Sequence, residues 1–325
     1  MRGSLIRRVL VAVALAALLA SSVSTASPAK AATLVEVTGF GTNPGALQMF
    51  EYIPTGLPAN RPVVVALHGC TQSAAVYDDE TGWTKWADQM QFALVLPQQT
   101  SANQSNKCFN WWLPGDQSRD QGEALSIKQM VDYVNSHNGT NAARTYVTGL
   151  SAGAAMTNVM AAVYPDVFKG AAPVAGVPYK CAVNALQTGS CNRGKTLKTP
   201  VQWGDLVRGA SSWTGPWPKV SIWHGTSDAT VNIANLTETM EQWTDVNGVD
   251  QTADVSDTVA GYPHKVYKDG SGDARVETFS ITGMNHGQPI DPGTGSTQCG
   301  VAGGYSLDVN ICASYYIALW FGVNV

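Results

Sequence analysis

Thr145-Tyr146-Val147-Thr148-Gly149-Leu150-Ser151-Ala152-Gly153 is the stretch on which the fold turns. Thr145–Leu150 reads as a strand, and Ala152–Val163 continues as a helix of mostly small apolar residues. Only Ser151 separates the two. Working outward, Val63–Leu67, Phe92–Leu96, Gly170–Ala175, Val220–Trp223 and Val276–Ile281 are further apolar runs. They are nearly continuous rather than alternating, as suits strands buried on both faces of a parallel sheet. Between them, Glu123–Val134 sets Ala124, Ile127, Met130, Val131 and Val134 on one helical stripe. Ala234–Val246 and Ile311–Phe321 read as further helices. Strands alternating with helices indicate an α/β fold with a mostly parallel, doubly wound sheet. Two stretches, 98–120 and 176–218, read as irregular and are long enough to be functional loops.

The chain has 325 residues, of which 44% are hydrophobic and 14% charged, with a formal net charge of −4. This composition excludes intrinsic disorder. Arg2, Arg7, Arg8 and Lys30 fall in residues 1–31, where no acid occurs, so the rest carries 16 basic and 24 acidic side chains. Such a surface offers no cationic field to a polyanion, and no nucleic-acid partner is expected.

Residues 1–31 read as a secretory signal peptide. Arg2, Arg7 and Arg8 form its basic region, Val9–Ala20 its apolar core, and Ala29-Lys30-Ala31 or Ala26 its cleavage site. The apolar core is too short to span a bilayer, which takes about 20 residues. The expectation is a secreted, extracellular, soluble protein with no membrane association, a single domain over 32–325, and a monomer. Cys70, Cys108, Cys181, Cys191, Cys299 and Cys312 all lie beyond the leader, and an even number in an exported chain reads as three disulfides. Sequence leaves their connectivity open, and nearest-neighbour pairing is the working expectation. No Cys/His spacing suits zinc, so neither metal nor other cofactor is expected.

Gly149-Leu150-Ser151-Ala152-Gly153 is the only Gly-x-Ser-x-Gly in the chain. Taken alone it could be a strand-to-helix turn with a capping serine. Its context suits a nucleophile: a serine at a sharp turn stands exposed above the sheet, at the positive end of the helix that follows. Among five histidines, His286 follows the strand Val276–Ile281 and suits a general base. His137 and His264 read as solvent residues, while His68 and His224 read as structural residues in tight turns. Asp228, just past the strand Val220–Trp223, is the acid expected to orient His286. The order Ser151…Asp228…His286, each just past a strand end, is that of α/β-hydrolases. Backbone N–H groups of Ala152 and Cys70 are the expected oxyanion donors, and a Cys70–Cys108 bridge would hold the second rigid. Trp111, Trp112, Trp213 and Trp217 are candidates for an apolar cleft wall, with core packing as their other reading.

With these residues in hand, the chain resembles the catalytic domains of extracellular polyhydroxybutyrate depolymerases and the related acetylxylan and feruloyl esterases. The resemblance rests on His68-Gly69-Cys70-Thr71-Gln72-Ser73, Cys108-Phe109-Asn110-Trp111-Trp112, Gly149–Gly153 continuing to Met156, and Tyr164-Pro165-Asp166-Val167-Phe168. It extends to Trp223-His224-Gly225 with Asp228 and to His286-Gly287, and so runs from about residue 40 to the end. It implies an α/β-hydrolase that is a serine carboxylesterase, with Ser151, Asp228 and His286 as its triad and no cofactor. The substrate it implies is a polymeric or oligomeric ester, a polyester first and an acylated plant polysaccharide second. A secreted binding protein on an inactive scaffold is the reading from another class, and a complete Ser, Asp and His set argues against it.

Overall fold

A computed structural model describes residues 33–325; the leader expected at 1–31 lies outside the described residues. Strands β1 (Val35–Val37), β2 (Gln48–Tyr52), β3 (Val63–Leu67), β4 (Ala93–Gln98) and β5 (Thr145–Leu150) alternate with helices α1 (Ala74–Thr81), α2 (Trp83–Met90) and α3 (Gly122–Asn138). Then come α4 (Ala152–Val163), β6 (Phe168–Val174), α5 (Ala185–Asn192), α6 (Pro200–Arg208), β7 (Lys219–Gly225) and α7 (Ala234–Val246). The chain closes with β8 (Val255–Val259), β9 (Tyr262–Lys268), β10 (Ala274–Ile281), the short pair β11 (Gln288–Ile290) and β12 (Ser306–Asp308), and α8 (Ala313–Phe321). The large sheet runs β1-β2-β4-β3-β5-β6-β7-β10-β9-β8. Every pairing from β4 through to β10 is parallel, and the pairings outside that block are antiparallel.

The continuous apolar runs have a direct cause. Val63, Val65 and Leu67 of β3 face the layer built by α3, α4, α6 and α7, whereas Val64 and Ala66 face the layer of α1, α2 and α8. In β4, Ala93 and Val95 point one way and Leu94 and Leu96 the other. A strand covered on both faces needs apolar residues at every position. The edge strands lack that signature because they are short or half-exposed, and the sequence reading missed β1, β2, β8 and β9. Likewise 176–218 is not wholly irregular: it contains α5 and α6. Helix α6 carries a complete capping box, Thr199 with Gln202, and Pro200 in its first turn. Its buried stripe is only Trp203, Gly204 and Val207, too narrow to read as a periodic face.

Register brings the strand ends level. Leu67 lies opposite Gly149, Leu150 opposite Val174, and Gly225 opposite Ile281. Loops leaving β3, β5, β7 and β10 therefore emerge at one edge of the sheet, the usual position for a site in a parallel α/β fold. Three disulfides, Cys70–Cys108, Cys181–Cys191 and Cys299–Cys312, tie down loops around that edge and the C-terminal helix. Among the described residues no helix is long and apolar enough to cross a membrane.

Helix α4 is buried along its whole length and starts in direct contact with the end of β3. A Cβ on Gly153 would overlap the carbonyl oxygens of Leu67 and His68, and one on Gly149 would overlap the backbone of Gly153. Both glycines are thus required by close approach. Gly153→Ala should lower the unfolding free energy by about 3 kcal/mol, the upper range for overpacking. Urea denaturation checks this; a loss below about 0.5 kcal/mol, the scale of an ordinary surface substitution, would contradict it.

Candidate active site

Ser151 occupies the turn between β5 and α4 with φ 57° and ψ −116°, a conformation that side chains rarely adopt. Two backbone bonds hold it there: Ser151 N–H donates to the Val174 carbonyl at 2.9 Å, and Ala155 N–H donates to the Ser151 carbonyl at 2.9 Å. The side chain makes no capping bond to its own helix, so the simple capping reading of Ser151 does not hold. Instead Ser151 borders a cavity of about 330 Å³, together with His286, Cys70 and Ala152.

Past β7, Gly225 leads into a turn carrying Asp228, and past β10 a second turn carries His286. The two turns are laced together. Thr226 N–H donates to Ile281 O at 3.0 Å, Ser227 N–H to Met284 O at 3.0 Å, and Gly283 N–H to Thr226 Oγ1 at 2.8 Å. Asp228 is buried, and its Oδ2 accepts from His286 Nδ1 at 2.7 Å. Its Oδ1 accepts from the N–H groups of Thr230 at 2.9 Å and Val231 at 2.8 Å. His224 Nε2 lies 3.4 Å from Asp228 Oδ2 and donates to the Val231 carbonyl at 2.8 Å. Burial works to raise the Asp228 pKa, but hydrogen bonds from His224 and His286, reinforced by attraction to His286, outweigh it. The carboxyl is held well below the usual carboxylate range. The sequence reading placed His224 in a tight turn, but it is still paired within β7, opposite Ser280, and the turn begins only after Gly225; nothing local signalled its approach to Asp228.

The opposite wall begins at His68. Its Nδ1–H donates to Gly69 O at 2.7 Å and its Nε2 accepts from Gln99 N–H at 3.0 Å, so both ring nitrogens are used by a neutral imidazole. Burial pushes this histidine down to about 4. Gly69 N–H donates to Gln72 Oε1 at 2.9 Å and Thr71 N–H to Asn106 O at 2.7 Å, which fixes the turn around Cys70. The 98–120 segment is largely irregular, as expected, but it is not loose. Glu123, fully buried at the start of α3, accepts from Asn110 N–H at 2.7 Å, Asn110 Nδ2 at 2.8 Å, Asn103 Nδ2 at 3.2 Å and Gln99 Nε2. Burial pushes the Glu123 carboxyl up to about 8, against the pull of these donors. The sequence reading saw Glu123 only as the start of a helix.

Trp111 and Trp112, edge to face at 5.5 Å, border the cavity beside Cys108. Trp213 and Trp217 do not. They precede β7 and so sit at the opposite edge of the sheet. There the Trp217 carbonyl accepts from Arg275 at 2.7 Å, and Lys169 lies 5.8 Å from the Trp213 ring. A residue just before a parallel strand belongs to its N-terminal edge, and that position corrects their assignment to the cleft. His264 is corrected as well. It lies on β9, and its Nδ1 is 2.8 Å from Asp257 and its Nε2 3.0 Å from Glu277. Burial lowers its pKa, but the two carboxylates more than offset this and raise it. His137 is exposed at the end of α3, stacked on Tyr133.

A carboxyl held below its unfolded value contributes stability above that value and loses it as the pH falls. The stability difference between the wild type and Asp228→Asn should therefore be full near pH 5 and shrink below about pH 4, where an unfolded aspartate protonates. Urea unfolding across this range tests it, and a pH-independent difference would contradict an ionised, stabilised Asp228.

Residues 47–260 match the family described as esterase PHB depolymerase. The poly(3-hydroxyalkanoate) depolymerase C of Paucimonas lemoignei is 60% identical over 291 residues, covering 89% of this chain and 70% of that one. A feruloyl esterase B of Talaromyces stipitatus is 36% identical over 283 residues, covering 84% and 77%. Among solved structures, an acetyl xylan esterase from Aspergillus awamori superposes with a TM-score of 0.76 at 26% identity, covering 90% of this chain and 99% of that one. That agreement identifies the fold as that of the α/β-hydrolase esterases, and the chain belongs to the esterase PHB depolymerase family.

Proposed function

We propose that this carboxylic ester hydrolase is a secreted serine esterase that cleaves the ester bonds of an aliphatic polyester or its oligomers, using Ser151, His286 and Asp228. The observation that carries the reading is the 2.7 Å pair of His286 and buried Asp228 beside a cavity that Ser151 also borders. The pair uses Nδ1 of His286, which leaves Nε2 as the base. Nε2 takes the Ser151 proton as the hydroxyl oxygen attacks the ester carbonyl. Asp228, ionised and fixed by Thr230 and Val231, holds the ring orientation and stabilises the imidazolium that forms. Backbone N–H groups of Ala152 and Cys70 receive the oxyanion, and the positive end of α4 favours the same charge. His286 returns the proton to the leaving alcohol, and water then repeats the sequence on the acyl-enzyme.

The polyester preference rests on the 60% identity to the Paucimonas depolymerase, against 36% for the feruloyl esterase. Among the described residues, no Asp, Glu, Lys or Arg borders the cavity, which suits an uncharged substrate. Three disulfides support export.

Ser151→Ala should abolish the burst of p-nitrophenol from a p-nitrophenyl ester, and Asp228→Asn should lower kcat by about 10⁴-fold. Near-normal turnover in either variant contradicts the assignment. Product analysis on polyhydroxybutyrate, acetylated xylan and methyl ferulate in parallel tests the substrate; release from only the latter two would contradict the polyester. Replacing Cys70 and Cys108 together by serine opens a 38-residue loop. The chain-entropy contribution lost is about 4 kcal/mol. If Cys70 N–H is an oxyanion donor, kcat should also fall by about 10²-fold while the protein is still folded. Unchanged kcat in the folded variant would leave the bridge a purely structural tie.

A further inference from the structure

His286 is followed at once by Gly287 and β11, and β11 pairs in parallel with β12 as a separate small sheet. Gln288 lies opposite Ser306, and Gln288 N–H donates to the Tyr305 carbonyl at 2.8 Å. The pairing thereby carries Tyr305, the residue just before β12, back to the turn that bears His286. The approach is close: a Cβ on Gly287 would overlap the Tyr305 carbonyl oxygen. The Tyr305 and His286 rings meet edge to face, 6.2 Å apart between centroids, and both residues border the cavity. The segment bearing Tyr305 is also anchored on its far side. Val301 N–H donates to the Glu80 carbonyl at 3.1 Å, Ser306 Oγ donates to Glu80 Oε2 at 3.1 Å, and the Cys299–Cys312 bridge closes the segment at its base.

The position of the reacting atoms gives that ring a role. When Ser151 attacks an ester, the alcohol oxygen must come within reach of His286 Nε2, because His286 returns the proton to it. The alcohol group therefore leaves on the His286 side of the cavity, and the acyl group extends away from it.

We propose that Tyr305 is a specificity residue for the alcohol side of the scissile ester, its ring forming the wall on which the apolar part of the leaving alcohol packs. The proposal rests on the serine-esterase reading above and goes beyond it by assigning the leaving-group site. Tyr305 is 41% exposed, so the wall is open at its outer edge. A long alcohol group can lie along the ring and continue into solvent. The ring gives apolar area with few rotatable bonds, and its backbone is already fixed by β11 and Glu80, so little freedom is lost when the alcohol binds.

The test compares Tyr305→Ala and Tyr305→Phe with wild type on two sets of soluble esters. Ethyl, benzyl and p-nitrophenyl butyrate share the acyl group; p-nitrophenyl acetate, butyrate and hexanoate share the alcohol. Tyr305 belongs to neither apolar core, so both variants should fold. Tyr305→Ala should lower kcat/KM for benzyl butyrate relative to ethyl butyrate by about tenfold, the scale of a lost apolar contact in a pocket. Tyr305→Phe keeps the ring and should keep the wild-type ratio. Preference within the acyl series should stay as in wild type, and so should deacylation of the butyryl-enzyme, from which the alcohol has already gone. An unchanged benzyl-to-ethyl ratio in Tyr305→Ala overturns the leaving-group site, while a burst on p-nitrophenyl butyrate leaves the Ser151 reading standing. An equal fall on every ester together with slower deacylation also overturns it, because Tyr305 would then act only by holding His286. If wild type forms no acyl-enzyme at all, the serine-esterase reading fails and the leaving-group site with it.

Discussion

The close approach of α4 to the end of β3 constrains everything around the cavity. Gly149 and Gly153 let the helix start against the carbonyls of Leu67 and His68, and the chain can make that approach only by forcing Ser151 to a positive φ. The strain at Ser151 is of order 1–3 kcal/mol and persists because both neighbours are over-determined. On one side β5 is buried in the middle of the sheet, and on the other α4 is buried along its whole length.

The same logic governs the charges. Asp228 is a buried carboxylate that meets two backbone N–H groups, His286 and His224, so desolvation is outweighed by directed partners. Glu123 solves a similar problem differently. With no cation beside it, it gathers amide donors from Gln99, Asn103 and Asn110 and so organises the loop bearing Trp111 and Trp112. One buried carboxylate thus orients the histidine, and a second buried carboxyl group, that of Glu123, shapes the wall opposite.

Much of this was legible in the sequence wherever a residue's role follows from burial on two faces. Helices Ala152–Val163 and Ala234–Val246 and strands Val63–Leu67 and Thr145–Leu150 end where the apolar pattern ends. Ser151, Asp228 and His286 stand out because each follows a strand of the parallel block. Contacts made between distant segments were not legible. Nothing local marks His264 as caught between Asp257 and Glu277, or Glu123 as the hub of a loop. The cavity face of α5 was hidden because Ala185, Thr188 and Asn192 have no shared chemical character. Trp213 and Trp217 misled by residue type, when their position before β7 already placed them at the far edge.

The central claim is that Ser151 becomes covalently acylated. Acid quenching during turnover of a 3-hydroxybutyrate ester, followed by peptide mass spectrometry, tests it most directly. A single hydroxybutyryl group on the peptide containing Ser151, absent in Ser151→Ala and accumulating in a variant slowed at deacylation, is the predicted result. Turnover without any such adduct, or with the acyl group on another residue, would contradict the account.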